Sequence, residues 1–348
     1  MSRLSVSPHP TSAELDAFAA SGERACTGVA ALPLDEAGAR LAEDGLLGIL
    51  APEPFGLGLH PAYAESLVAA AARARLAYPL AETLAASAAL ARLDPDVAVA
   101  VLEGGVLVTV TGLAEVTARR DRGGVVLDGV AGDLLHLDAA RWALLPVGEG
   151  ESLVLIDLDA DGLTVEPAGD MDVSRPRGRL RLAGVAVPAG RILTETSVVD
   201  EFRAGLALFR AIDACAAAGA ALDLAVTHLS TRTQFGRPLV GFQALRHDLA
   251  RARMLMENAA RLFEGGLAAE EGERAGRADL AHAYAAEIAP RIAEAALQMH
   301  GGMGFTWDVP VHLYLRRIRA GFSANGLDAA RGRVAERAIA GALAPLPD

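Results

Sequence analysis

The chain is poor in several things that narrow its chemistry. Cysteine occurs only at Cys26 and Cys215. They stand far apart and outside any metal-ligand spacing, so neither a disulfide nor a thiolate metal centre is expected, and a reducing compartment suits them. Aromatic residues make up 4% of 348 residues against 52% hydrophobic, which points to an Ala, Leu and Val core, mostly helical and large enough for two or three domains. Basic residues number 32 against 44 acidic, for a net charge of −12. That balance argues against nucleic acid as partner and for a small molecule or another protein. The eight histidines show no metal spacing. No Ser/His/Asp or Cys/His set can be placed, and Gly56-Leu57-Gly58 is too short for a nucleotide loop. The first residues lack a signal-type apolar run, and the most apolar helical stretch is interrupted by Arg210 and Asp213. The expectation is a soluble, cytoplasmic protein that meets no membrane.

What is present falls into three textures, together an α+β chain. Residues 1–100 read as helical: Thr11 to Glu14 resembles a capping box, apolar residues recur at helical spacing through Leu41–Leu50, and further helices are expected over Pro61–Leu76 and Leu80–Leu93, the last stopped near Asp94-Pro95. Residues 101–195 turn to short Val/Leu runs such as Val106–Thr111, Trp142–Val147 and Leu180–Val187, with glycine turns. They predict hairpins in a small antiparallel sheet or barrel. Residues 196–348 return to helical periodicity over about 197–233, 240–267 and 277–299, with shorter helices near 310–319 and 327–343. Long amphipathic helices with brief connections predict a bundle.

Two stretches in that bundle carry candidate chemistry. One is the turn after Gln298, where Gly301, Gly302 and Gly304 can take positive φ and let another backbone or a phosphate approach, with Arg316 and Arg317 about two turns further on. The other runs from Thr231 to Gln243: Arg232 could offer a planar fork to a diphosphate, Phe235 an aromatic face and Gln243 an amide. The plainer reading is a helix hairpin whose arginine caps carbonyls and whose Phe packs. His300 likewise reads as a phosphate contact or as a helix-end cap, and His312 and Tyr314 as packing or interface residues.

The order Arg232-Thr-Gln-Phe-Gly-Arg-Pro-Leu with Phe242-Gln243, then Gln298-Met-His-Gly-Gly-Met-Gly-Phe-Thr-Trp-Asp and His312-Leu-Tyr-Leu-Arg-Arg317, resembles the C-terminal domain of the acyl-CoA dehydrogenase family. Weaker likeness covers Leu41–Gly56 and Leu180–Pro188. The resemblance implies an N-terminal α domain, a middle β domain and a four-helix bundle, in the order already read. It also implies dehydrogenation across Cα–Cβ of an acyl thioester, a glutamate taking the α proton while FAD takes the β hydride. Arg232, Phe235, Gln298, Gly301 and Gly302 would contact FAD, Gln243 would support it, and the flavin would be shared across a subunit interface.

The departures bear on catalysis. At equal length, Asn325 stands where the family's glutamate stands and Leu327 where its threonine stands; the family's alternative base position falls near Leu206. Neither Asn nor Leu accepts a proton at neutral pH. A slip of register would reach Asp200, Glu201 or Asp213, which otherwise read as helix-start and solvated-face residues. The middle domain is short, leaving Thr109 and Thr111 as a remnant of the ring-holding loop or as ordinary strand residues, and Trp142 as core. Loss of a positioned base removes roughly 10²- to 10⁴-fold of rate. The shortened β region and the His312–Arg317 ending resemble non-catalytic subunits of actinobacterial heteromeric acyl-CoA dehydrogenases, several of which act on steroid side-chain thioesters. The leading expectation is such a subunit, completing FAD binding for a homologous catalytic chain in a heterodimer or heterotetramer. A self-sufficient dehydrogenase with a relocated base, a flavin-dependent oxygenase and a flavin-free scaffold stay open.

Overall fold

The computed structural model describes residues 10–112, 114–148, 150–167, 171–322 and 327–343. Five helices come first: α1 (Ser12–Val29), α2 (Leu34–Glu43), α3 (Ala62–Arg73), α4 (Leu80–Leu93) and α5 (Pro95–Leu102). The Thr11/Glu14 capping box is formed, with the Glu14 carboxylate accepting from the Thr11 backbone N–H at 2.8 Å. Residues Leu46–Leu50, expected to prolong a helix, form turns, because α2 ends at Glu43 and Gly45 takes φ 72°. α4 is buried on nearly every side, as its run of Leu and Ala dictates. The Asp94-Pro95 step that stops it also starts α5. Asp94, extended at φ −155°, accepts from the Val97 N–H, and Pro95 occupies the first turn.

The middle region forms two four-stranded sheets. The first runs in the order β1 (Val108–Val110), β4 (Trp142–Val147), β5 (Ser152–Asp157), β8 (Ile192–Leu193). The second runs β2 (Ala114–Asp121), β3 (Gly124–Leu135), β7 (Arg177–Pro188), β6 (Leu163–Pro167). The expectation of antiparallel pairing holds except for β1 and β4, which pair in parallel. The intervening β2–β3 hairpin belongs to the other sheet, and the chain returns in β4 running the same way as β1. β4 is buried throughout. Its Ala143, Leu145 and Val147 pack with Leu127, Leu180 and Val185 of the second sheet. Trp142 and Leu144 belong to the helical core, so the first sheet is covered on both faces as period-two alternation requires.

The bundle contains α6 (Thr196–Thr231), a β9–β10 hairpin (Thr233–Gln234, Arg237–Pro238), α7 (Gln243–Leu267), α8 (Glu271–His300), a 3₁₀ turn (Gly301–Phe305), α9 (Val311–Phe322) and α10 (Leu327–Leu343). At 36 residues, α6 is about 54 Å long and packs on α3, α4, α8 and α9. Among the described residues it is the one helix long and apolar enough to cross a membrane, and 83% of its apolar window is buried within the protein.

Candidate functional site

The two sequence motifs meet at one end of the bundle. α6 closes at Arg232, whose carbonyl accepts from the Leu239 N–H at 2.9 Å and ties the β9–β10 hairpin back to the helix. Phe235 (φ 51°) and Gly236 (φ 77°) make the tip, the positive-φ pair that a two-residue hairpin turn needs. The Phe235 ring is 90% exposed, meeting Phe242 edge-on at 6.2 Å, while Arg237 lies 4.1 Å over the Phe242 ring. Gln243 opens α7 with its side chain in water. At the end of α8 the Gly301 N–H donates to the Gln298 carbonyl. What brings the two motifs together is a stack of His228 on His300, ring centres 4.9 Å apart. His300 is buried and its Nδ1 lies 2.7 Å from the Ala296 carbonyl, so it takes the capping role. Burial, then His300 and Arg232, lower the pKa of His228.

The three glycines of the turn divide the work expected of all of them. Only Gly301 has positive φ, at 60°. Gly304 is required by close approach, since a Cβ there would sit 2.8 Å from the Leu297 carbonyl oxygen. At Gly301 and Gly302 a Cβ would meet nothing within 4 Å, so that backbone lies open. Arg232, Phe235, Gln243, Gln298, Gly301 and Gly302 are all exposed, and Met303, Phe305 and Trp307 beside them are 51%, 69% and 71% exposed. The result is a wall of guanidinium, backbone N–H and aromatic surface, exposed among the described residues.

Arg316 and Arg317 do not serve the turn. Arg316 donates to the Met171 carbonyl. Arg317 is buried: it grips Asp213 through Nε at 3.0 Å and Nη2 at 2.5 Å, and donates through Nη1 to the Leu76 carbonyl at 2.8 Å. It belongs to an ionic junction where α4, α6, α9 and the segment entering β7 converge. Arg175 reaches Glu82 at 3.0 Å and Asp213 at 3.7 Å. Arg210 reaches Glu82 at 3.2 Å and Asp133 at 3.6 Å, and Arg177 also pairs with Asp133. Burial would raise the Glu82 carboxyl, but Arg175, Arg210 and Arg177 overcome it and hold it at about 2. Every cation here is arginine, and the chain contains no lysine. The space left between these groups is about 20 Å³, room for about one water.

Of the expected bases, Asp213 is thus clamped by arginine, Glu201 lies 4.0 Å from Arg274 on α8, and Asp200 is half-buried on the first turns of α6. Leu206 is packed against the loop after β1, where a Cβ on Gly112 would lie 3.6 Å from it. Asn325 lies outside the described residues. Thr109 and Thr111 are buried, and the Thr109 hydroxyl has no hydrogen-bond partner. Trp142 is core at its edge, with Arg191 4.3 Å over its ring. Tyr314 is buried and donates to the Arg73 carbonyl at 2.7 Å, a packing role, and His312 caps Val309 at 3.2 Å. Sequence reasoning missed Glu82, Asp133, Arg175 and Arg177. The available signal was the charge inside apolar helix periodicity, Glu82 and the Arg210/Asp213 pair. Among the described residues no group of His, Cys, Asp or Glu could hold a metal.

Residues 200–339 match the family model described as the acyl-CoA dehydrogenase C-terminal domain. The acyl-CoA dehydrogenase IpdE2 of Mycolicibacterium smegmatis is 30% identical over 174 residues, 50% of this chain and 51% of IpdE2. FadE34 of Mycobacterium tuberculosis is 31% identical over 199 residues, 56% of this chain and 26% of FadE34. The chain therefore matches about half the length of these curated relatives, or less. Among solved structures, a Tcur3481-Tcur3483 steroid ACAD variant superposes with TM-score 0.85 at 25% identity, covering 95% of this chain and 99% of that one. The ChsE4-ChsE5 complex from Mycobacterium tuberculosis gives 0.85 at 23% identity, covering 97% and 99%.

Proposed function

We propose that the chain is a member of the acyl-CoA dehydrogenase family and, within it, the partner subunit, without a catalytic glutamate of its own, of a heteromeric FAD-dependent acyl-CoA dehydrogenase in the cytoplasm. The observation that carries this reading is the contrast between an open outer wall and a closed interior. Arg232, Gln298 and the bare backbone at Gly301 and Gly302 suit a diphosphate, and Phe235 suits a flat ring system. The ionic junction, about 20 Å³ and lined by Glu82, Arg175, Arg210, Asp213 and Arg317, lies about 28 Å back along α6 from Arg232 and has no room for a flavin ring or an acyl chain. In this reading FAD is held by this chain at the outer wall.

In the assembled site FAD supplies the hydride acceptor. Arg232 neutralises phosphate charge there, Gln298 and Gln243 donate amide hydrogen bonds, the Gly301–Gly302 backbone lets the cofactor approach, and Phe235, Phe305 and Trp307 exclude water at the seam. Removal of the α proton falls to a carboxylate of the homologous catalytic subunit. Heteromeric neighbours of the same fold support this reading, since two are named as pairs of different chains, and an acyl thioester, with a steroid side chain as one class, is the corresponding substrate. The residue-range division at 100 and 195 into helical, β and bundle units belongs to the same proposal.

The test is purification of the chain alone and co-expressed with a homologous dehydrogenase subunit. The expected result is a colourless chain that becomes part of a yellow, active complex. Stoichiometric FAD and thioester oxidation by the chain alone would sink the reading and favour a self-sufficient enzyme; oxygen uptake with reduced flavin would favour an oxygenase. A chain that binds no subunit and no thioester is the scaffold outcome.

A further inference from the structure

α6 presents a second, partly open cavity on a different face from the ionic junction. Leu208 and Arg210 point about 200° apart around the helix axis. Leu50, Leu84, Ala85, Leu208, Phe209 and Leu267 line this cavity, which encloses about 50 Å³, room for roughly three or four water-sized bodies. Two charged side chains line it as well, Glu201 and Arg274.

Arg274 is the informative one. Its Nη2 donates to the Ala269 carbonyl at 3.1 Å, and its Nη1 stands 4.0 Å from Glu201, the outer limit of an ion pair. Its Nε is buried without an acceptor. A buried guanidinium N–H left without a partner is costly, and a wall of leucine, alanine and phenylalanine facing empty space forfeits dispersion contacts. One chemical class relieves both: a carboxylate, which accepts from the guanidinium fork, on a short hydrocarbon tail. Glu201 can release the guanidinium because its side chain is 42% exposed and stays hydrated.

We propose that this cavity binds a short-chain aliphatic monocarboxylate, its head on Arg274 and its tail among Leu84, Leu208 and Phe209. The cavity volume sets the tail at about three or four carbons, with the carboxylate at the open edge beside the partly exposed Arg274. The site is independent of the partner-subunit reading, because it lies at the N-terminal end of α6 whereas Arg232 closes the other end.

The chain purified alone is titrated with butyrate by saturation-transfer NMR and calorimetry, with butan-1-ol as head-group control and octanoate as length control. Butyrate binds and raises the melting temperature, while the alcohol and octanoate bind at least about tenfold more weakly. Arg274→Gln weakens butyrate about tenfold or more, the loss expected for a charge-assisted hydrogen bond, and leaves butan-1-ol unchanged. Gly205→Ala fills part of the wall: a Cβ there lies 3.7 Å from Phe209 and 3.8 Å from Ala85. It also replaces a helix-interior glycine, so the fold is kept, and it too weakens butyrate. Arg232→Ala binds butyrate as well as wild type. No butyrate binding at millimolar concentration, equal binding of butyrate and butan-1-ol, or full affinity in both Arg274→Gln and Gly205→Ala overturns the proposal and leaves the partner-subunit reading standing.

Discussion

The ionic junction and the glycine wall hold charge in opposite ways. In the junction each guanidinium is paired, buried and fixed between elements distant in sequence, Arg317 of α9 against Asp213 of α6 and the carbonyl of Leu76. At the wall Arg232 and the aromatics stand in water. Buried ion pairs are poor sources of net stability, but breaking one strands a charge, so the junction specifies how the helices and β7 meet. Exposed groups contribute little to the isolated chain and are free for another molecule. The junction is committed to structure, while the wall keeps its charge and aromatic surface available.

Four measurements would break or sharpen that contrast. The largest effect is expected from Asp213→Asn, which leaves Arg317 buried without its counter-charge and costs about 3–5 kcal/mol; urea unfolding reads it, and a loss under 1 kcal/mol would mean that water reaches the junction. Next comes acid. Burial, then Arg210, depress His282 to about 4; the folded state thus binds fewer protons than the unfolded one. Its contribution, up to about 3 kcal/mol, is full above the ordinary histidine range and is lost as pH falls from about 6.5 through 4. Glu82, held at about 2, adds a further loss from about 4.5 downward by the same sign. A melting temperature flat from pH 7 to 4 would contradict the first, and one flat from pH 4.5 to 2 the second. Tyr314→Phe removes the hydrogen bond to Arg73 and costs about 1 kcal/mol, read in the same unfolding series. Smallest is the pair Phe235→Ala and Trp307→Ala, each expected within about 0.5 kcal/mol in the isolated chain. In the co-expressed complex the same changes lower FAD occupancy and subunit retention; a large loss in the isolated chain would show these rings to be structural.

Local features were legible because they are written locally. α4 over Leu80–Leu93 and β4 over Trp142–Val147 end where periodicity and flanking Gly and Pro place them. The Thr11 cap and the Gly301 turn needed only short-range rules. The wall was legible as motif residues, but its exposure was not, because Phe235 reads as core until the hairpin puts it at the tip. The junction was illegible for a different reason: Glu82 and Arg175 are 93 residues apart, and Arg317 and Asp213 are 104 apart. No periodicity reports such partners. The parallel β1–β4 pair was hidden by the same long-range pairing, since each strand alone reads like a hairpin arm.

The arginine-only cations have a practical corollary. With no side-chain amine anywhere in the sequence, reagents that couple through lysine find no side chain to attack. In a mixed assembly every lysine adduct therefore identifies the other subunit. Mapping the seam from this side requires chemistry directed at carboxylates or at the indole of Trp307.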